Sequence, residues 1–585
     1  MTRSPSLRLA LALAALPLAI TPVAAQDAPP ATTTEKAPTP PPLAVGLVSA
    51  AHPDAVAAGM RILREGGSAT DAAMAMMLAL SVVEPQSSGI GGGGFLVHQA
   101  ADGSISTIDG RETAPAAAAP TRFTAPDGTA LPFRQAVPGG KSVGVPGNIA
   151  LMAMAHEKWG KLPWKALFEP AIQLADGGFE VNAPLAATLG TVAPWWKDFP
   201  DARAIYWQNG APAAAGDTIV NVKLAATLGR IAELGAPAFY AGETAQSIVA
   251  GGAGAKVNPG DMTLLDLTAY RARERAAVCA PYRSYRICGM GPPSSGAVTV
   301  IQILGQLERF DMAALGPNSL EAWHLIGESM RLAYADRDKW LADPDFVTVP
   351  TEGLIDPAYL KTRSALIDAK KARADYPAGT PPLPEPMAEE PVPVPSSETA
   401  GTTHFVAIDA AGNVASMTST VEGPFGSQLV AAGMVLNNEL TDFSFVPVGA
   451  DTPDGLVANR VQAGKRPLSS MSPTIVFDAA GKPVLALGSA GGKRIIMHVA
   501  KTLVGVIDFG LPLDQAIAMP NIYFSGDTTL VEKGSGLEPN VAALAAFGHK
   551  VEAIELPSKV NGAQLTAAGW RGAADPRSAG TSSAE

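Results

Sequence analysis

The stretch from Pro395 to Phe445 constrains this chain more than any other. A proline-rich segment stops at Gly401. Two threonines, Thr402 and Thr403, follow, and the run from Thr403 to Ile408 is rich in apolar and β-branched residues. Ala411-Gly412-Asn413 supplies a turn, and residues Val414 to Val421 resume the strand pattern. Turn residues between two such runs predict an antiparallel hairpin. Thr402 then has two possible meanings. As an internal residue it is an ordinary strand-entry threonine. As a new N-terminus it is a nucleophile carrying its own base, because a free α-amine titrates at roughly 7.7–8.0 and can take the hydroxyl proton near neutrality. Gly401 has no side chain to obstruct attack of the Thr402 hydroxyl on its carbonyl. Such an attack moves the acyl group from nitrogen to oxygen and lets water cut the chain.

The rest of the chain bounds what this hairpin belongs to. At 585 residues with 47% apolar and only 17% charged residues, it can bury a large core. The net charge is −11 and no basic stripe appears, which argues against nucleic acid as a partner. Residues 1–25 read as an export signal: Arg3 and Arg8, an apolar run from Leu9 to Ile20, then the small residues Val23-Ala24-Ala25. The apolar run is short for a membrane span, and no later stretch reaches 18 uninterrupted apolar residues, so no span is expected in the mature protein. Residues 26–42 are rich in Pro, Thr and Ala and read as a disordered tether. Residues 372–401 carry eight prolines between 372 and 397 and read as the linker feeding Gly401.

Several other motifs have a plainer structural reading. Gly89 to Gly94 matches the G-x-G-x-x-G spacing, but a helix precedes it and a strand follows, the reverse of a dinucleotide site. Close backbone approach is the better account. Gly140-Lys141-Ser142 lacks the first glycine of a phosphate loop. Trp195, Trp196 and Trp207 read as packing residues rather than a sugar platform. Ser294-Ser295 reads as the cap of a helical region running to Leu341. Cys279 and Cys288, the only cysteines, flank a hairpin centred on Arg283-Ser284 that sets them opposite each other. A disulfide and two packed free thiols both remain open, and neither cysteine fits a nucleophile or a zinc site.

The runs Thr402-Thr403-His404, Asn437-Asn438-Glu439-Leu440-Thr441-Asp442-Phe443, Arg466-Pro467-Leu468-Ser469-Ser470-Met471-Ser472-Pro473 and Gly488-Ser489-Ala490-Gly491-Gly492 together resemble the γ-glutamyltransferase (glutathione hydrolase) family. So do Glu84 to Phe95, Asp109-Gly110-Arg111-Glu112 and Gly572 to Arg577, so the resemblance covers nearly the whole chain after the leader. It implies an N-terminal-nucleophile hydrolase, a four-layer αββα sandwich. Residues 43–401 become a large subunit and 402–585 a small one, both from one precursor cut between Gly401 and Thr402. It also implies glutathione and other γ-glutamyl compounds as donors, with water, amino acids or peptides as acceptors. No metal or organic cofactor is implied, and the location is periplasmic or beyond.

Residue by residue, the resemblance makes Thr402 the nucleophile, Thr420 its hydrogen-bonding assistant, and Gly491 and Gly492 the oxyanion donors. Arg111 takes the substrate α-carboxylate, for which its planar fork is suited. Glu439 and Asp442 take the α-ammonium, and Ser469 and Ser470 complete the ring. Glu422 stands where the family varies between Asn and Glu. Residues 443–465 correspond to a lid that here contains no tyrosine or tryptophan, which puts aromatic gating in doubt. Two competing readings remain: a glutaryl-amide (cephalosporin) acylase of the same family, and a periplasmic binding protein that never matures.

Overall fold

Two sheets form the centre of the molecule, and residue alternation along their strands sets the layers. The computed structural model describes residues 43–384, 390–393, 401–449 and 452–585. The expected leader and tether lie outside the described residues, as do 385–389 and 394–400 of the linker. The first sheet has seven strands in the order Thr581–Ala584, Gly46–Ala50, Thr402–Asp409, Val414–Thr420, Gly93–Gln99, Ile105–Gly110, Arg273–Arg275. The second has six, in the order Gly569–Ala574, Asn561–Thr566, Pro483–Gly488, Thr474–Phe477, Tyr285–Met290, Ala277–Tyr282.

Successive side chains of a strand point to opposite faces, and here each face has its own cluster. From the first sheet, Val406, Ile408 and Val414 meet Ile475, Phe477 and Ala486 of the second in a shared inner layer. Phe405, Ala407, Ala415 and Met417 point the other way, into a cluster with helices Pro53–Arg64 and Ala69–Val83. Val476, Leu485 and Leu487 likewise face helices Gly296–Leu307, Leu320–Trp340 and Arg494–Ile507. The result is helix, sheet, sheet, helix. Strands covered on both faces carry almost no polar surface, and Thr402–Asp409 is buried along its whole length.

The central hairpin spans Thr402–Asp409 and Val414–Thr420, with Thr402 paired to Thr420. Its turn is held by Asp409, whose Oδ1 accepts from the backbone N–H groups of Ala411 and Asn413, both at 3.0 Å. The Gly89–Gly94 run permits close packing against this hairpin: a Cβ on Gly92 would lie 1.9 Å from the Thr420 carbonyl oxygen. Trp196 is buried and donates to Gln428 at 2.8 Å, a packing role. Cys279 and Cys288 are cross-strand partners in the six-stranded sheet and are disulfide-bonded. The expected helical region to Leu341 is broken into Gly296–Leu307, Met312–Leu315 and Leu320–Trp340. The described part of the linker is pinned rather than loose, with Gly379 N–H bonded to Asp336 and its carbonyl to the Trp340 indole.

Burial pushes the pKa of His98, stacked on Trp159, down to about 4, and that of His404 down to about 3. The folded chain keeps both neutral, whereas the unfolded chain protonates them near 6.5. Stability is therefore full above pH 6.5 and falls as pH drops toward 4, at up to about 1.4 kcal/mol per pH unit per histidine. Calorimetry from pH 7 to 4.5 should show a falling Tm, with a shallower slope in His404→Gln. A Tm that stays flat across this range would contradict the neutral assignment.

Candidate active site

The site is built where the open end of the central hairpin meets three loops. Thr402 and Thr420 are directly opposed, so their hydroxyl oxygens come within 3.2 Å. The Thr420 hydroxyl is also 3.2 Å from the Gly401 carbonyl oxygen and accepts the Glu422 N–H at 2.7 Å. A hydroxyl has one proton and two lone pairs. Donation to Gly401 and acceptance from Glu422 leave one lone pair of Thr420 to receive the Thr402 proton. Gly401 is required sterically, since a Cβ there would sit 2.3 Å from the Glu422 carbonyl oxygen and 2.5 Å from the Gly423 carbonyl carbon. His404 cannot act as a base here: its Nδ1 is 2.8 Å from the Thr418 hydroxyl, and its ring is buried against Gly488.

Arg111 leaves the end of strand Ile105–Gly110, and its backbone N–H is bonded to Asp109 at 2.8 Å. Its guanidinium is buried and ion-paired with both predicted acids. Nη1 meets Glu439, and Nη2 meets Asp442 at 2.6 Å. Nε donates to the Pro467 carbonyl at 3.1 Å, and Nη2 also reaches that of Leu468 at 2.7 Å. The 3₁₀ turn Glu439–Asp442 brings the two acids to one side. Burial opposes the Arg111 charge, and Glu439 and Asp442 more than restore it, so its pKa is raised. The residues expected to divide between the two charges of a substrate therefore neutralise one another in this structure.

Ser470 accepts from the Arg337 guanidinium at 2.8 Å, and the Ser469 hydroxyl accepts the Met471 N–H at 3.2 Å. Glu422, at φ 74°, turns its carboxylate to the Asn438 amide. Gly491 and Gly492 lie in the turn between strand Pro483–Gly488 and helix Arg494–Ile507. Among the described residues neither amide N–H has a hydrogen-bond acceptor, so both remain available. Arg111, Thr402, Thr420, Glu422, Glu439, Asp442, Ser469, Ser470 and Gly492 line one small, tightly filled cavity. Gly491 instead lines a second, larger cleft of about 200 Å³, on whose border Thr402 also lies, together with Asn182, Pro424 and Lys559.

Some residues of the site escaped sequence reasoning. Arg337 is buried and bonds both Ser470 and Ser295. Ser294 and Ser295 were expected to cap a helix. Ser294 does accept the Gly296 N–H, but both hydroxyls donate to the serine loop, to Met471 O at 2.6 Å and Ser469 O at 2.7 Å. Glu112, next to Arg111, is fully buried; burial and then the Glu439 charge hold its carboxyl well above the usual range. Within residues 443–465, Phe445 stacks on Phe123 at 4.8 Å.

Replacing Arg111 with methionine leaves Glu439 and Asp442 buried without their cation, at a cost of about 3–5 kcal/mol. The deficit should shrink as pH is lowered from 7 to 5 and the stranded acids take protons. Denaturant unfolding of both proteins at the two pH values measures this, and equal deficits would rule out the charge argument.

Comparison with known proteins shows the family and the fold. Residues 55–585 match the family described as gamma-glutamyltranspeptidase. The chain is 38% identical over 543 residues to a glutathione hydrolase proenzyme of Escherichia coli (strain K12), spanning 91% of this chain and 90% of that protein. It is 35% identical over 513 residues to the acylase ACY 1 proenzyme of Pseudomonas sp. (strain SE83), spanning 86% and 87%. Among solved structures, a cephalosporin acylase from Bacillus halodurans aligns with a TM-score of 0.80 at 25% identity, covering 96% of this chain and 99% of that one. The fold is that of the N-terminal-nucleophile hydrolases, and the chain belongs to the γ-glutamyltranspeptidase family.

Proposed function

We propose that the chain is a self-cleaving γ-glutamyltransferase that hydrolyses glutathione and related γ-glutamyl amides and passes the γ-glutamyl group to amino acids or peptides. The observation that carries this reading is the contact of the Thr420 hydroxyl with both the Thr402 hydroxyl and the Gly401 carbonyl oxygen, each at 3.2 Å. In maturation the Thr402 oxygen bonds to the Gly401 carbonyl carbon while the Thr420 hydroxyl polarises the carbonyl oxygen. The Thr402 hydroxyl proton passes through Thr420 to the amide nitrogen as the C–N bond breaks. Water then hydrolyses the resulting ester, releasing the Gly401 carboxyl and a free Thr402 amine.

That amine next serves as base for turnover. Thr402 attacks the γ-amide, the Gly491 and Gly492 amides bind the oxyanion, and the leaving amine departs on the side of the larger cleft. One oxyanion donor is typically worth 10²–10³ in rate. Water or an acceptor amine then releases the γ-glutamyl ester. The donor end of the substrate is zwitterionic. Its ammonium replaces Arg111 as partner of Glu439 and Asp442 while its carboxylate replaces them as partner of Arg111, so the exchange is charge-neutral. Export under the leader of residues 1–25 belongs to the same proposal. No helix among the described residues is long and apolar enough to cross a membrane.

Glutaryl-amide hydrolysis is the second reading, favoured by the acylase relatives. A glutaryl group brings a carboxylate but no ammonium, and so strands both acids when it takes Arg111. γ-Glutamyl anilide should therefore turn over faster than glutaryl anilide by about 10²-fold or more in kcat/KM. A glutaryl preference would overturn the donor assignment. Intact mass and N-terminal sequencing test maturation: wild type should yield two chains, the smaller starting Thr-Thr-His-Phe, and Thr402→Ala one. Thr420→Val should slow cutting by about 10²-fold, with Thr420→Ser close to wild type. A single uncut and inactive wild-type chain would revive the binding-protein reading.

A further inference from the structure

We infer that His324, Glu328 and His549 form a structural zinc site that ties the outer helical layer to the C-terminal part of the chain. His324 and Glu328 lie four residues apart on helix Leu320–Trp340 and so share a face. His549 immediately precedes strand Lys550–Ile554. One ligand atom from each of the three falls within a 4.8 Å span. His324 Nδ1 is 2.7 Å from His549 Nε2, and His549 Nδ1 is 4.0 Å from Glu328 Oε1. All three side chains are buried, and none of these residues lines either cavity that Thr402 borders.

The surroundings orient these groups as ligands. His324 Nε2 faces the Asp368 carbonyl at 2.7 Å and must therefore carry its proton, which leaves the Nδ1 lone pair pointing at His549. The Glu328 carboxylate is held by the Tyr376 hydroxyl and by the Arg373 N–H at 3.1 Å. Thr529 Oγ1 lies 3.5 Å from His549 Nδ1. Such outer partners fix ring orientation and tautomer at zinc sites.

In the hydrogen-bonded form His549 Nε2–H donates to His324 Nδ1. To bind zinc, His549 shifts its proton to Nδ1, toward Thr529, and the two facing nitrogens open to roughly 3.3 Å, the separation expected for tetrahedral Zn–N bonds of about 2.0 Å. Glu328 supplies the third ligand and water the fourth. Two imidazoles and a carboxylate suit zinc. Two ligands precede Gly401 and one follows it, so the ion also bridges the two products of the proposed cut. The site itself does not depend on that cut.

The test is calorimetric titration of ZnCl₂ into chelator-treated full-length protein, with scanning calorimetry in parallel. It is run on wild type, Thr402→Ala, His549→Gln and Glu328→Gln. Wild type and Thr402→Ala should each bind one zinc and gain about 2 °C in Tm at zinc a hundredfold above Kd. His549→Gln, which retains hydrogen-bonding capacity, should lose both the heat and the shift, as should Glu328→Gln where it folds. γ-Glutamyl anilide turnover by wild type should not change on zinc removal. No binding heat in wild type, or the same heat in His549→Gln, would overturn the site and leave a histidine–histidine hydrogen bond.

Discussion

The pairing of Thr402 with Thr420 across the central hairpin is the contact on which the site depends. Side chains alternate along a strand, so a slip of one residue would turn the Thr402 hydroxyl to the opposite face. Several independent features oppose that slip. Asp409 closes the turn at one end, the alternation of Phe405 and Ala407 with Val406 and Ile408 assigns each face to its own layer, and flanking strands bond both edges. At the open end the backbone of Glu422 and Gly423 leaves room for no side chain at Gly401. Thr402 is thus placed by the register of a buried sheet.

A second constraint is electrical. Arg111, Glu439 and Asp442 are buried together at the end of a strand, and such charges are tolerated only when they are paired and well bonded. A wider network anchors the group: Arg466 bonds Asp109 at 3.0 Å and the Arg111 carbonyl at 3.2 Å, and Arg275 bonds Asp109 at 2.7 Å. Arg337 supports the serine loop from the opposite side. These arginines fix the backbone from which Arg111 and the serine loop project, so the charge-paired cavity rests on residues outside its lining.

Much of this was legible in the sequence because it follows from local patterning. The hairpin ends, its turn and the glycine run declare themselves through residue type and spacing. The helix expected before the Gly89–Gly94 run and the strand expected after it appear as Ala69–Val83 and Gly93–Gln99. Three things were not legible. That Arg111 closes on Glu439 and Asp442 follows from burial, because three charges left alone in a dry cavity satisfy one another. Arg337 carries no local sign of its task, since its partner Ser470 lies 133 residues away. The Ser294-Ser295 pair looked like a helix start because that is where such hydroxyls usually bond. Here a neighbouring loop brought its own carbonyls within reach.

The interleaving of the sheets has a consequence for the lifetime of the molecule. In the seven-stranded sheet, Gly46–Ala50 lies between Thr402–Asp409 and Thr581–Ala584, so segments from before and after Gly401 alternate within one ladder. Were the chain cut at Gly401 as proposed, neither fragment would own a complete sheet or a covered inner face. Reassembly then becomes an encounter between two molecules, each exposing apolar surface that invites precipitation. For the cut protein, loss of the native state would in effect be one-way, with durability set by the barrier to leaving it rather than by any balance between folded and unfolded forms.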